Sequence, residues 1–262
     1  MKIKVIVSKD NQTYKYLKGL KKSANKNANH FLIEGKRLVN EALRGGFKLQ
    51  YLIVHEDTAL DPFADQDGEH EILKLDNKLF RELAETVHSQ GIIAVVKKPL
   101  YQLDKIKTHN KSLILVANAI QDPGNLGTII RIGAAAGIDG IILTEGTVDM
   151  YNAKVIRATM GSIFQLPVVE KVPDKEIIKW FKEKRISIAI ADVNAARNYY
   201  SVNMNIPLAL IIGNENKGPS ELWKSAADIN IKIPMIGRAE SLNAAVAAGI
   251  LTYEALRQRN LG

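Results

Sequence analysis

The sequence predicts an α/β protein in two parts: a small amino-terminal α/β domain and a carboxyl-terminal α/β domain built on a mostly parallel sheet. Three observations predict it. Short apolar runs alternate with amphipathic stretches along the 262 residues, the pattern of strand–helix units. A polar, basic stretch at residues 98–111 divides them into two series. In the second series the runs are continuously apolar, as in Leu113-Ile114-Leu115-Val116-Ala117, which suits strands buried on both faces. The expected organisation is a domain at 1–97, a linker at 98–111 and a domain at 112–262.

In the first part, residues 31–34, 49–54, 71–75 and 92–96 read as strands, and 10–22, 35–45 and 76–88 as helices. Gly45-Gly46 fits a helix stop before a new strand. In the second part, strands are expected at 112–117, 140–143, 186–191, 207–212 and 228–233. Helices are expected at 126–136, closed by Gly137, and at 152–160, 174–184 and 242–259. There is no internal repeat and no low-complexity tract.

Apolar residues make up 46% and charged residues 24%, the balance of a soluble globular chain. No apolar stretch approaches the roughly 18 residues that span a bilayer, and the opening residues lack the apolar core of a signal peptide. The absence of cysteine excludes disulfides, thiolate catalysis and cysteine-ligated metals. Both point to a cytoplasmic protein. The net charge of +8 is unevenly spread: residues 1–54 carry twelve Lys/Arg against three Asp/Glu, whereas 55–110 carry seven against eleven. The excess sits around Lys15, Lys18, Lys21, Lys22, Lys26, Lys36 and Arg37. Such a surface attracts phosphate backbones; a solvated lysine-rich helix face is the other reading.

Three segments far apart in sequence share one character. They are Gln121-Asp122-Pro123-Gly124-Asn125-Leu126-Gly127 running to Arg131, Gly213-Asn214-Glu215-Asn216-Lys217-Gly218-Pro219-Ser220, and Ile233-Pro234-Met235 with Glu240-Ser241-Leu242-Asn243. Each follows an expected strand, and open α/β sheets bind ligands outside the carboxyl ends of their strands. They therefore read as walls of one site. Familiar chemistries fail there. Gly213-x4-Gly218 lacks the lysine of a phosphate-binding loop. Gly133-Ala-Ala-Ala-Gly137 is not a dinucleotide fingerprint. All five histidines precede residue 110, and none joins carboxylates at metal-ligand spacing, so no metal is expected. Asn125, Arg131, Glu215, Ser241 and Asn243 remain. Singly, Asn125 reads as a helix N-cap, Arg131 as a surface or ion-paired residue, and Ser241 and Asn243 as caps of the last helix. Their joint occurrence favours a site.

These segments resemble the three motifs of the SpoU (TrmH-type) RNA ribose methyltransferases of the SPOUT superfamily. The first motif is matched by Asn125-Leu126-Gly127-Thr128-Ile129-Ile130-Arg131. The second is matched by Gly213-Asn214-Glu215-x-x-Gly218-x-Ser220. The third is matched by Ile233-Pro234-Met235 through Glu240-Ser241-Leu242-Asn243 and Ala247-Ala248-Gly249. Ile33-Glu34-Gly35-Lys36-Arg37-Leu38-Val39 and Gln90-Gly91-Ile92-Ile93-Ala94-Val95 are similar to the substrate-binding domain fused to many members.

The resemblance implies an amino-terminal RNA-binding domain, with Lys21, Lys22, Lys26, Lys36 and Arg37 as RNA contacts. It also implies a deep trefoil knot in the carboxyl-terminal domain, S-adenosylmethionine as cofactor, and a homodimer with no metal and no membrane. Gly213, Ile233 and Leu242 would contact the cofactor, with Thr144 as a further candidate. Arg131 would activate the ribose 2′-hydroxyl, Asn125 would orient Arg131 or the ribose, and Glu215 would hold Arg131 or Asn243. Ser241 and Asn243 would shape the site. The implied activity is 2′-O-methylation of ribosomal RNA, with tRNA methylation or a non-catalytic role in RNA binding or ribosome assembly as alternatives.

Overall fold

A computed structural model describes residues 3–22, 29–58, 70–214 and 217–260, the side chain of Asn260 excepted. The chain divides into two compact units, Met1–Leu100 with Tyr151–Ile156, and Tyr101–Met150 with Arg157–Gly262.

The first unit is a mixed five-stranded sheet with helices. Its strands are β1 (Ile3–Ile6), β2 (His30–Glu34), β3 (Leu49–His55), β4 (Glu71–Leu75) and β5 (Ile92–Lys97), in the spatial order β1-β4-β3-β5-β2. β1, β4 and β3 run parallel, and β5 is antiparallel to β3 and β2. The helices are α1 (Gln12–Lys21), α2 (Lys36–Arg44) and α3 (Asn77–Leu83). Tyr14 and Leu17 of α1 and Leu79, Phe80 and Leu83 of α3 pack with Ile53, Leu73, Ile93 and Val95 of the sheet. Burial pushes the Tyr14 hydroxyl up to about 12, so it stays protonated where it meets the Leu79 carbonyl and Glu82.

Two differences from expectation have local causes. β1 was not expected: it is an edge strand, three of its four residues are exposed, and lysine interrupts its apolar residues. α3 was expected to reach residue 88 but ends at Leu83. The Lys21 amine takes the carbonyls of Glu82 and Ala84 (3.0 and 2.5 Å), and the Glu34 carboxylate takes the backbone N–H of Glu85 and Thr86 (2.6 and 3.3 Å). Backbone groups that would have extended the helix are satisfied by side chains instead.

The second unit is an all-parallel seven-stranded sheet. Its strands are β6 (Leu113–Ala117), β7 (Gly140–Thr144), β8 (Val168–Val172), β9 (Ser187–Ala191), β10 (Arg197–Asn198), β11 (Leu208–Ile212) and β12 (Ile229–Lys232), in the order β10-β12-β9-β11-β6-β7-β8. Its helices are α4 (Pro123–Ala136), α5 (Ala153–Thr159), α6 (Asp174–Lys184), α7 (Glu221–Ala226) and α8 (Ala244–Asn260), with the first residues of α5 counted in the other unit. Every residue of β6, β7 and β11 is buried, as their unbroken apolar runs require. Two-residue β10 and six-residue α7 are too short for periodicity to show, and edge strand β8, set between Pro167 and Pro173, has its apolar run broken by Glu170 and Lys171; none of the three was expected.

The stretch expected as a linker is partly anchored. Leu103 and Ile106 are buried in the core of the second unit, and Gly140 leaves the room that Ile106 fills. Two starts also shift. α4 begins at Pro123 rather than 126, because Asp122 is its N-cap, accepting the Asn125 N–H at 2.8 Å, with proline in the first turn. It ends, as expected, at left-handed Gly137. α8 begins at Ala244 rather than 242, because Asn243 caps it. No helix among the described residues is long and apolar enough to cross a membrane.

Candidate active site

In the second unit the loops leaving β9, β11 and β12 enclose a cavity of about 340 Å³. The loop after β9 contributes Asp192, Val193 and Asn194. The loop after β11 contributes Gly213, Asn214, Lys217, Gly218 and Pro219, and α7 adds Lys224. The segment from Ile233 through Met235 and Glu240-Ser241-Leu242 closes it, with Ala244 and Ala247 of α8. This is the carboxyl end of a parallel sheet, where ligands are expected.

Local chemistry holds each wall. At Gly213 a β-carbon would lie 2.7 Å from Pro219 Cδ and closer still to the Pro219 nitrogen and Gly218 carbonyl carbon, so only glycine fits. Gly218 turns the chain back with φ +65° and donates its N–H to the Asn214 carbonyl at 2.9 Å. The loop is tied to the segment after β6: Asn214 Nδ2 donates to the Ala119 carbonyl at 2.9 Å, and the Ser220 N–H donates to Asn118 Oδ1 at 3.3 Å. Ala119 has φ +54°, a costly conformation for a residue with a β-carbon, held by its N–H bond to Thr144 Oγ1 at 3.1 Å.

Of the residues expected at the site, Gly213, Ile233, Ser241 and Leu242 line the cavity. Thr144 does not. It is 2% exposed, and its hydroxyl joins the ends of β6 and β7, accepting from Asn118 Nδ2 and Ala119 N–H. Asn125 is not the N-cap of α4, a place taken by Asp122. Its side-chain oxygen instead accepts Asn243 Nδ2 at 2.8 Å, joining residues 118 apart in sequence. Asn243 does two jobs, since its Oδ1 also accepts the N–H groups of Ala245 and Val246 at 2.9 and 3.3 Å.

Arg131 is exposed on α4. With the helix starting at Pro123, Arg131 and Asn125 sit roughly 120° apart around its axis. The two residues therefore do not share a face of α4, and Asn125 meets Asn243 instead. Glu215 and Lys26 lie outside the described residues. Asp192, Asn194, Lys217 and Lys224 were missed. The loop after β9 has no glycine or proline to mark it, although it occupies the same place relative to its strand.

The amino-terminal cations divide into two groups. Lys9 and Lys18 pair with Glu82, Lys15 with Asp10, and Lys21 caps α3 and reaches Glu85. Lys22, Lys36 and Arg37 are exposed. His55, Glu56 and Asp57, the one grouping of ligand type among the described residues, serve backbone groups: the Asp57 N–H donates to His55 Nδ1 and the Asn77 N–H to Glu56 Oε1.

Comparison with known proteins decides the family. Residues 112–253 match the SpoU rRNA Methylase family, more than half of the chain. The chain belongs to the SpoU rRNA methylase family. Residues 11–94 match the MRM3-like substrate binding domain. Among similar members, the 23S rRNA (guanosine(2553)-2′-O)-methyltransferase RlmP of Bacillus subtilis (strain 168) is 36% identical over 254 residues, 96% of this chain and 98% of that protein. The 23S rRNA (uridine(2479)-2′-O)-methyltransferase of Streptomyces viridochromogenes is 32% identical, covering 90% and 85%. Among solved structures, the SpoU methyltransferase AviRb from Streptomyces viridochromogenes, in complex with the cofactor AdoMet, superposes with a TM-score of 0.88 at 32% identity over 96% of this chain and 99% of that one. The AdoMet-bound rRNA methyltransferase from Sinorhizobium meliloti gives 0.90 at 28% identity, covering 97% and 98%. The SpoU relationship thus extends over both units.

Proposed function

We propose that this protein transfers a methyl group from S-adenosylmethionine to a ribose 2′-hydroxyl of 23S ribosomal RNA, acting in the cytoplasm as a homodimer whose second unit carries a trefoil knot. The observation that carries the reading is the cavity at the carboxyl ends of β9, β11 and β12 together with the Asn125–Asn243 bond, which ties the first family motif to the third beside it. The named activities and near-complete coverage of the Bacillus and Streptomyces relatives support 23S rRNA. A tRNA-modifying SpoU structure from A. aeolicus aligns with only 60% of this chain, which makes tRNA the weaker choice.

The residues present fit S-adenosylmethionine. The cavity volume falls at the lower end of small-molecule sites, roughly 300–1,000 Å³. Ile233, Met235, Leu242 and Ala247 offer apolar walls for an adenine. Asp192 and Glu240 offer carboxylates to an ammonium, and Lys217 and Lys224 offer cations to a carboxylate. The cofactor supplies an already activated methyl group, so the protein's task is to place the hydroxyl and stabilise the charge that develops on its oxygen. Arg131 carries a permanent positive charge. It stabilises the developing alkoxide and fixes the adjoining phosphate. Asn125 and Asn243, locked together, position the ribose.

On α8, Val246 and Tyr253 are 51% and 50% exposed and two helical turns apart, so they share one face. A second copy covering that face accounts for the apolar stripe and brings a partner next to the start of α8, where the site lies.

Arg131→Ala is expected to lower methyl transfer by on the order of a thousandfold while calorimetry with S-adenosylmethionine stays near normal. Full activity would sink the assignment. A non-catalytic RNA-binding protein is the other reading, and failure of the wild-type protein to bind S-adenosylmethionine would favour it. For the RNA-binding surface, Lys22, Lys36 and Arg37 are the informative cations, because Lys21 holds α3. Reversing those three to Glu should reduce the slope of log affinity against log salt by about 2 or more for single-stranded RNA. An unchanged slope would remove this surface from the RNA contact.

A further inference from the structure

The segment after β10 presents aromatic rings that the cavity and the family-motif loops do not use. Tyr199–Ser201 forms a 3₁₀ turn in which Tyr200 is 55% exposed. The ring is held in place. It meets Tyr199 edge-on, with centroids 5.2 Å apart at 74°, and its hydroxyl accepts Asn198 Nδ2 at 2.9 Å. The Ser201 hydroxyl closes the turn on the Asn198 carbonyl at 2.7 Å. Beside it, Arg197 is exposed and makes no ion pair among the described residues. The position is close to the cavity. β10 pairs with β12 so that Asn198 lies opposite Lys232, and the next residue, Ile233, is cavity wall. Asn194, also cavity wall, is only three residues before Arg197. The nearby carboxylate, Glu254 of α8, is taken up by Arg257 and Gln258 at 2.8 Å.

A large aromatic surface left half in water and fixed in orientation, with exposed Arg197 three residues before it in the chain, suits one kind of ligand: an unstacked nucleobase with its phosphate. Every base offers a π-face, so stacking on an aromatic ring tolerates any sequence. Because the ring is already fixed, little side-chain freedom is lost on binding. We propose that Tyr200, backed by Tyr199 and with Arg197 three residues before it, is a stacking platform for a single-stranded base of the RNA next to the methylated ribose. The proposal rests on the methyl-transfer reading for the identity of the RNA but not for the stacking itself. A second copy of the chain is the less suitable occupant. Symmetric pairing of this segment would bring the exposed Arg197 of the two copies together.

The test uses the full-length protein and a short single-stranded oligouridylate carrying one 2-aminopurine, whose fluorescence is bright between weakly stacking uridines and is quenched on stacking. Wild type and Tyr200→Phe should both quench it. Tyr200→Ala and the volume-keeping Tyr200→Leu should lose the quench and bind about tenfold more weakly. Arg197→Ala should lower the salt slope by about 0.7. All should sediment at the wild-type mass and bind S-adenosylmethionine as wild type does. Retained quenching and affinity in both Tyr200→Ala and Tyr200→Leu would overturn the platform. So would a change in sedimenting mass, which would make this face a subunit contact. If wild type quenches the probe but neither binds S-adenosylmethionine nor transfers methyl, the platform stands and the methyl-transfer reading fails.

Discussion

Gly213→Ala is expected to abolish useful cofactor binding while the chain still folds. The β-carbon it adds has nowhere to go, because its nearest neighbours are the Gly218 carbonyl carbon, the Pro219 nitrogen and the proline ring. None of these can rotate aside as a side chain tip could. Strand β11 cannot yield on the other side, since all five of its residues are buried. The loop must therefore move outward, and Gly213, Gly218 and Pro219 are all cavity wall. A displacement on the order of 1 Å at a positioned site costs on the order of a hundredfold in rate, and the cofactor dissociation constant should rise by a similar factor. The control is Gly237→Ala in the loop between Met235 and Glu240, where a β-carbon meets nothing within 4 Å. Calorimetry with S-adenosylmethionine and a thermal melt would be run on both. Normal affinity in Gly213→Ala would show that this loop is not part of the cofactor wall.

The same glycine shows what was legible in the sequence. Gly213 was marked because it follows a continuously apolar strand, and strands buried on both faces announce themselves without needing a period. β6, β7 and β11 were legible for that reason. The edge elements were not. β1 exposes Ile3, Lys4 and Val5, β8 is boxed by two prolines, and β10 is two residues long. Pairing in the sheet, rather than local pattern, makes them strands.

The candidate site divides the same way. Loops rich in glycine, asparagine and proline were visible, and they carry Ser241, Leu242 and Ile233 into the cavity wall. Asp192-Val193-Asn194 has no such marker, and Lys224 depends on α7, which was itself not expected. Side-chain partnerships were the least legible. Asp122, not Asn125, caps α4, and that leaves the Asn125 amide to meet Asn243. Lys21 looked like one more cation in a basic run. Its amine in fact ends a helix 61 residues away, which only the folded chain arranges.

Arg257 and Arg259 carry this contrast to its largest expected effect on stability. They are two residues apart near the end of α8, and nothing in the sequence separates them. Arg257 forms a surface pair with Glu254, whose carboxylate it holds below the usual range. Arg259 turns inward. Its guanidinium donates to the carbonyls of Ile206 (2.8 Å), Ala255 (3.2 Å), and Lys111 and Ser112 (both 3.3 Å), and burial pushes its pKa down. Three of these carbonyls, those of Lys111, Ser112 and Ile206, lie just ahead of the neighbouring central strands β6 and β11, so one side chain fastens the last helix to both. Gln258 adds to the clasp through the Val202 carbonyl and the Met204 N–H.

Removing Arg259 strands several carbonyls at once. Arg259→Ala should therefore cost about 2–4 kcal/mol, which lowers the melting temperature by roughly 5–15 °C for a unit of this size. Arg259→Lys should recover less than half of that, because a single ammonium cannot replace a planar fork spread over four acceptors. Arg257→Ala should melt with the wild type, as exposed pairs contribute little. Thermal and urea unfolding of the three variants decide the matter. Equal effects of Arg257→Ala and Arg259→Ala would mean that α8 is held by its apolar face alone and not by this clasp.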